Sequence, residues 1–258
     1  RAHLWMQGDD QDRMLQLDPV VAQLSGPLQG GQGRFSLLHL PFSLLALAVP
    51  VPSALRGAIG ATGSYDLSGA GPLLTTELAL EQARFGEQEL RLERRAVVLS
   101  SKGFELDLAL RSVDAAEALQ VRGTVPLSLR DALDLELESH GDALSFLAAP
   151  AGDALRLTRG TSDLRLMLTG YLDQPQANGF LVIRDGSFTA ADQALKQVNA
   201  SLLFDFNRVE VSQLEATLAS GGTISAEGAI GLFIPRDEET PLTIRLTKGT
   251  IRQEMVDL

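Results

Sequence analysis

The chain has 258 residues, a net charge of −11 and no cysteine. Disulfides and thiolate metal sites are therefore excluded. The charge argues against a nucleic-acid partner, whose phosphates call for clustered Lys and Arg, and against electrostatic docking on anionic lipid. Hydrophobic residues make up 45 % but aromatics only 5 %. The apolar material is thus mainly leucine, enough for one all-β domain or two smaller units.

In chain order, a strand-like pattern is already under way at Leu4-Trp5-Met6. Asp9-Asp10-Gln11-Asp12 lacks the glycine and terminal glutamate of a calcium loop and reads as a polar hairpin loop. Gly30-Gly31-Gln32-Gly33 lacks the Gly-Lys-Ser/Thr ending of a phosphate loop and reads as a turn. Phe35 to Pro52 is apolar, nearly uncharged and rich in proline toward its end. It reads as a buried cap on the sheet, the alternative being a helix that lies along a groove. Within it Pro41 to Val49 is a short helix candidate, with Phe42, Leu45 and Val49 on one face. The longest apolar stretch, Phe42 to Val51, falls far short of the ~20 residues of a spanning helix.

From there a period of two dominates. Leu90 and Leu92 alternate with Arg91 and Glu93. After a Lys102-Gly103 turn, Phe104, Leu106, Leu108 and Leu110 alternate with Glu105, Asp107, Ala109 and Arg111. Leu133, Leu135 and Leu137 alternate with Asp134, Glu136 and Glu138. Asp142 to Ala149 is a second helix candidate, with Asp142 as N-cap and Pro150 as terminator. Leu164, Leu166 and Leu168 follow, then turns at Asp173-Gln174-Pro175, Asp185-Gly186, Gly221-Gly222 and Lys248-Gly249. Leu202, Phe204 and Phe206 form one more row, and Leu242, Ile244 and Leu246 the last. Arg236-Asp237-Glu238-Glu239-Thr240 reads as a solvated loop. The pattern still runs at Gln253 to Leu258, so the sequence reads as one continuous segment, 1–258, of a longer polypeptide. Such alternation gives each strand one apolar and one polar face. Runs about ten residues apart suit an antiparallel meander.

Catalytic chemistry finds little support. His3, His39 and His140 lie far apart, without metal-ligand spacing, and no Gly-x-Ser-x-Gly elbow occurs. Asp134, Glu136 and Glu138 share a wet strand face, whereas a catalytic acid needs a desolvated cleft. No enzyme activity, metal or cofactor is expected.

A weak internal repeat divides the chain at about 36–139 and 140–258. In the first copy Leu55 to Gly63 leads through Gly71-Pro72 into Glu77-Leu78-Ala79-Leu80. In the second Leu166 to Gly170 leads through Gln174-Pro175 into Phe180-Leu181-Val182-Ile183. The second copy carries Gly141 to Leu147, Gly160 to Gly170, Gln174 to Gly179, Val209 to Ala216 and Gly221 to Ile230. These segments resemble the TamB-like (translocation and assembly module B) family, within the AsmA-like bridge-type lipid transfer proteins. Residues 40 to 250 carry the likeness.

The resemblance implies an all-β, elongated, curled antiparallel sheet, a β-groove or taco-like shape, with one or two short helices. It implies a periplasmic segment of a Gram-negative-type or cyanobacterial envelope protein, held in the inner membrane by an anchor absent here. The groove would hold phospholipid acyl chains passing between inner and outer membrane. Alternatives within the same likeness are a scaffold for outer-membrane protein assembly or secretion with an Omp85-type barrel, joined through regions outside this segment, and a structural spacer. The expected groove lining is the apolar rows Phe104 to Leu110, Leu133 to Leu137, Leu164 to Leu168, Leu202 to Phe206 and Leu242 to Leu246. By composition alone an interior filled by side chains remains open, and the commonness of sandwiches favours it.

Overall fold

The computed structural model describes residues 2–7, 12–17, 20–27, 30–47, 54–69, 73–145, 155–190, 193–219, 221–232 and 242–247. Among the described residues there are sixteen strands: β1 Ala2–Gln7, β2 Asp12–Leu17, β3 Val20–Ser25, β4 Gln32–Pro41, β5 Leu55–Asp66, β6 Leu74–Phe85, β7 Gln88–Ser100, β8 Gly103–Ser112, β9 Leu119–Val125, β10 Ala132–Ser139, β11 Leu155–Tyr171, β12 Gln174–Ala190, β13 Gln193–Phe206, β14 Arg208–Leu218, β15 Thr223–Gly231 and β16 Thr243–Thr247. One helical turn, α1 Phe42–Leu45, joins β4 to β5.

The strands form a single sheet in which spatial order equals chain order from β1 to β16, each pair antiparallel. The sheet is elongated and curled, and it does not close. The all-β curled architecture is the one the alternation and the family likeness lead to.

Register shifts fall in two bands. The first crosses β4 to β8, at Leu37/Leu40, Arg56/Ala58 and Leu92/Arg94. The second crosses β11 to β15, from Leu157/Arg159 to Val211/Leu214. Each shift is a bulge, which bends its strand and tightens the local twist. Among the described residues, four of the five non-glycine residues with positive φ, namely His39, Gln82, Asp185 and Gln197, lie in these bands. Between the bands, β8–β9, β9–β10 and β10–β11 pair without a shift. The β6–β7 ladder is interrupted: Leu74–Glu77 pair with Ala96–Leu99, and Arg84–Phe85 with Gln88–Glu89, with Leu78–Ala83 and Leu90–Arg95 unpaired to each other.

Several expectations are corrected. The helix expected over Pro41 to Val49 is only the turn Phe42–Leu45, because Pro41 stays extended and offers no side-chain cap. Ala48 and Val49 lie outside the described residues. No α-helix forms over Asp142–Ser145, which are turn and a 3₁₀ residue; Phe146 to Ala149 lie outside the described residues. Asp142 directs its carboxylate to another loop, accepting the N–H groups of Ala116 and Glu117 at 2.9–3.0 Å. Asp185-Gly186 is no hairpin turn but a bulge inside β12, Asp185 taking φ 50°. The turn before β12 is Leu172-Asp173, and Gln174-Pro175 already belong to the strand. Asp9 to Gln11, Arg236 to Thr240 and Lys248-Gly249 lie outside the described residues.

The core sits at one end. Phe42 of α1, Leu144 of the Gly141–Ser145 turn, Phe85, Leu90, Leu119 and Leu164 pack together as buried residues, with Leu45, Leu80, Leu137, Leu166 and Phe204 against them. Burying such a side chain is worth roughly 1.5–3 kcal/mol relative to exposure. Strands far apart in order, β6 and β11 among them, meet through this cluster. The apolar cap expected at Phe35 to Pro52 is thus strand up to Pro41 and then a plug at Phe42.

Candidate functional site: a one-sided apolar trough

Paired residues of an antiparallel ladder point to the same side of the sheet. Following the partners across the sheet places the expected lining residues. Phe104, Leu106, Leu108 and Leu110 oppose Val125, Gly123, Val121 and Leu119. Gly123 and Val121 oppose Leu135 and Leu137. Leu133, Leu135 and Leu137 oppose Gly170, Leu168 and Leu166, and Leu164 opposes Ser139. Leu164 and Leu166 then oppose Leu181 and Gly179, which oppose Leu202 and Phe204; Ala177 opposes Phe206. Phe204 leads through Val209 to Ile230, and Leu202 through Val211 to Gly228. Ala226 and Ile224 carry the same side on to Ile244 and Leu246. Leu242 immediately precedes β16, just outside its ladder with β15. One side of the sheet therefore carries the apolar rows from β8 to β16.

These rows differ in burial. Leu164 is buried and Leu137, Leu166 and Phe204 pack on the plug cluster. Leu106, Leu108, Leu135 and Leu168 are only half-buried. At the end away from the plug, Phe104 is 37 % exposed and Phe206 53 %, with Leu127 and Leu129 of the β9–β10 connection exposed beside that rim. Ile244 and Leu246 on the last strand are exposed too. The curled sheet thus forms a trough, packed by its own side chains at one end and, apart from the buried Leu133 in the row of Phe104, more open to solvent at the other.

The opposite side is a lattice of charges. Asp107 receives Arg94 at 3.5 Å and Arg122 at 3.4 Å, Arg111 meets Glu93 at 2.6 Å, and Arg165 meets Glu136 at 3.2 Å. Glu136 and Glu138, neighbours on the wet face of β10, are both engaged in such contacts. Exposed pairs of this kind contribute little each. They keep this side wet. His140, far from other histidines in sequence, sits between Asp163 at 3.1 Å and Glu138 at 3.4 Å, and Arg184 grips the other oxygen of Asp163. Asp163 above all raises the His140 pKa, while Arg184 and then His140 hold the Asp163 carboxyl below its usual range. His39 pairs with Glu81 across a bulge. Among the described residues no group of three His, Cys, Asp or Glu side chains is placed to hold a metal ion.

Two hollows lie on this polar side. One of about 570 Å³ spans β3–β6 and is bordered by Ser25, Arg34, Ser36, Thr62, Ser64 and Thr75; one of about 340 Å³ spans β14–β16. The first also takes in Phe35 and Glu77, and the second is lined by Glu215, Glu227 and Arg245 beside Ser212, Ser225 and Thr243. The polar side also bears an apolar patch that the alternation does not anticipate: Phe180 opposes Leu203, with Met167 near, all exposed. The unbroken run Phe180-Leu181-Val182-Ile183 is its sequence signal, since four apolar residues in a strand supply both faces.

The chain matches no family model, no curated protein and no solved structure. Among the described residues no helix is long and apolar enough to cross a membrane.

Proposed function

We propose that this chain is a non-enzymatic segment of a cell-envelope bridge protein, whose apolar trough carries phospholipid acyl chains between inner and outer membrane and so serves outer-membrane biogenesis. The observation that supports the reading is the half-exposed lining itself. Leu106, Leu108, Leu135 and Leu168 line one side of a curled sheet with no second layer over them among the described residues. A continuous apolar surface left in water is costly at roughly 25 cal/mol per Å², and large exposed patches mark binding surfaces. Hydrocarbon chains are the simplest cover. They need no directional contacts, and leucine offers none. Headgroups remain in water beyond the rim. TamB-like proteins, which the sequence resembles, supply the envelope setting: a periplasmic location with a tether to the inner membrane. Transfer is then sliding without chemistry.

Photo-crosslinking residues at Leu106, Leu135 and Leu166 in the full-length protein test the reading. Lipid adducts are expected at Leu106 and Leu135, and weaker ones at Leu166, which packs on the plug. Adducts to polypeptide instead would transfer support to a second reading, a scaffold for outer-membrane proteins with an Omp85-type partner. The exposed strand β16, paired only to β15 among the described strands, favours that alternative as a site for strand addition. Adducts to neither would leave a structural spacer.

A further inference from the structure

Strands β6 and β7 are joined at both ends and open between. Glu77–Ala96 is the last rung of one short ladder and Arg84–Glu89 the first of the other, and no ladder joins Leu78–Ala83 to Leu90–Arg95. Both lips of this seam are bulged against their outer neighbours, β6 beside Gln82 and β7 between Leu92 and Arg94. Bulges bend strands, and two facing each other keep the ladder from closing.

Arg95 stands at the head of the seam. Its partner on β8 is Leu108, which opposes Val121 and, beyond it, Leu137. Paired residues share a side, so Arg95 lies on the trough side. Of the paired positions on that side from β5 to β10, among the described residues, Arg95 alone carries a charge. Its guanidinium meets Glu77 at 3.1 Å. Glu77 pairs with Thr62 and Ala96, and Ala96 with Asp107, which places Glu77 on the polar side. The ion pair therefore crosses the sheet, and it crosses where the ladder stops. Hydrogen-bonded strands about 4.8 Å apart leave no path for a guanidinium; the seam does.

A charge beside an apolar lining is costly without a partner or water. Arg95 has both: its side chain is 51 % exposed and that of Glu77 63 %. Exposed pairs of this kind hold weakly, so the guanidinium can exchange Glu77 for another anion. One rung away, Val97 leads through Leu106, Gly123 and Leu135 to Leu168. This neutral row crosses four strand spacings, roughly 19 Å at about 4.8 Å each. An acyl chain in one leaflet takes about half of a ~30 Å hydrocarbon core, so the row accommodates one.

We propose that Arg95 is the anchor for the phosphate of a phospholipid whose acyl chain lies along the row Leu106 to Leu168. The inference rests on the lipid reading above and names the headgroup chemistry of that site. Guanidinium holds phosphate through two parallel hydrogen bonds. The headgroup stays in water, as Arg95 does, while the tail covers the leucines. Glu77 is displaced toward the polar side and competes for Arg95, which keeps the hold transient and lets the lipid move on.

The test compares dioctanoyl phosphatidylglycerol with dioctanoylglycerol, both below their aggregation concentrations, titrated into the full-length protein by calorimetry. The unaltered protein should bind the phospholipid about tenfold more tightly than the phosphate-free lipid. Arg95→Gln should remove that preference and leave dioctanoylglycerol binding as it was. Glu77→Gln should tighten the phospholipid alone, about threefold. Arg91→Gln, an exposed arginine on the polar side of the same strand, should change neither lipid. Thermal melts confirm that each variant is folded. Equal binding of the two lipids by the unaltered protein, equal losses in Arg95→Gln and Arg91→Gln, or no gain in Glu77→Gln each overturns the phosphate anchor and leaves the lipid reading standing. Failure of both lipids to bind overturns both.

Discussion

The panel β8–β10 and the bulged bands on either side of it are written in the same alphabet of alternating leucine and charge, yet only the panel keeps strict register. Across β8 to β11 every partner follows the last without a shift, so Leu106, Leu135 and Leu168 stay aligned on one side. In the bands, residues such as His39, Gln82, Asp185 and Gln197 take positive φ, and the alternation slips by one. Bulges bend strands and regular ladders keep them straight. The panel supplies a straight wall and the bands supply the curl. A trough needs both.

The largest effect should separate the plugged end from the open wall. Leu164→Ala, in the buried cluster, is expected to cost about 3 kcal/mol, while Leu106→Ala, half-exposed on the same side, costs about 1 kcal/mol; urea unfolding monitored by circular dichroism measures both. Equal losses would mean that the wall is as tightly packed as the plug. Next come the glycines. Gly123 has φ +125°, and a Cβ there would meet the Asp134 carbonyl oxygen at 2.0 Å. Gly123→Ala should therefore cost about 2 kcal/mol. Gly221, with φ +88° but open space around it, should lose about half as much on the same change. In the bands the sign should reverse: Gln82→Gly, relieving a left-handed backbone at φ 49°, is expected to gain about 1 kcal/mol. A loss there would show that the Gln82 side chain holds the bulge.

The smallest effect is electrostatic. Asp163 and Glu138 raise the pKa of the exposed His140 above 6.5. The folded state then binds the proton more tightly than the unfolded one. The contribution is present in full below about pH 6.5 and is lost as pH rises through the raised value. A melting temperature that falls slightly over this window in the native chain, and not in His140→Gln, is the expected record.

The same contrast explains what can be read from residues alone. Phe104 to Leu110 and Leu133 to Leu137 are legible because nothing in the panel interrupts a period of two. Asp185-Gly186 misleads because a hairpin turn and a bulge ask for the same thing, a residue tolerant of positive φ, and only the strand continuing beyond it decides. Asp142 misleads because its carboxylate caps backbone N–H groups as an N-cap would, but those of Ala116 and Glu117, 26 and 25 residues away. The partners of His140 and the side on which Arg95 lies depend on register between strands, which no single stretch of sequence contains.

The strict meander has one more consequence, for how the chain comes to be folded. Each strand pairs only with the ones made just before and just after it, so every ladder closes a short loop, and the entropy of bringing distant segments together is deferred to the plug cluster. Such a chain can zip up hairpin by hairpin as it is delivered, from either end. It can also gain or lose a hairpin during evolution without rethreading its neighbours.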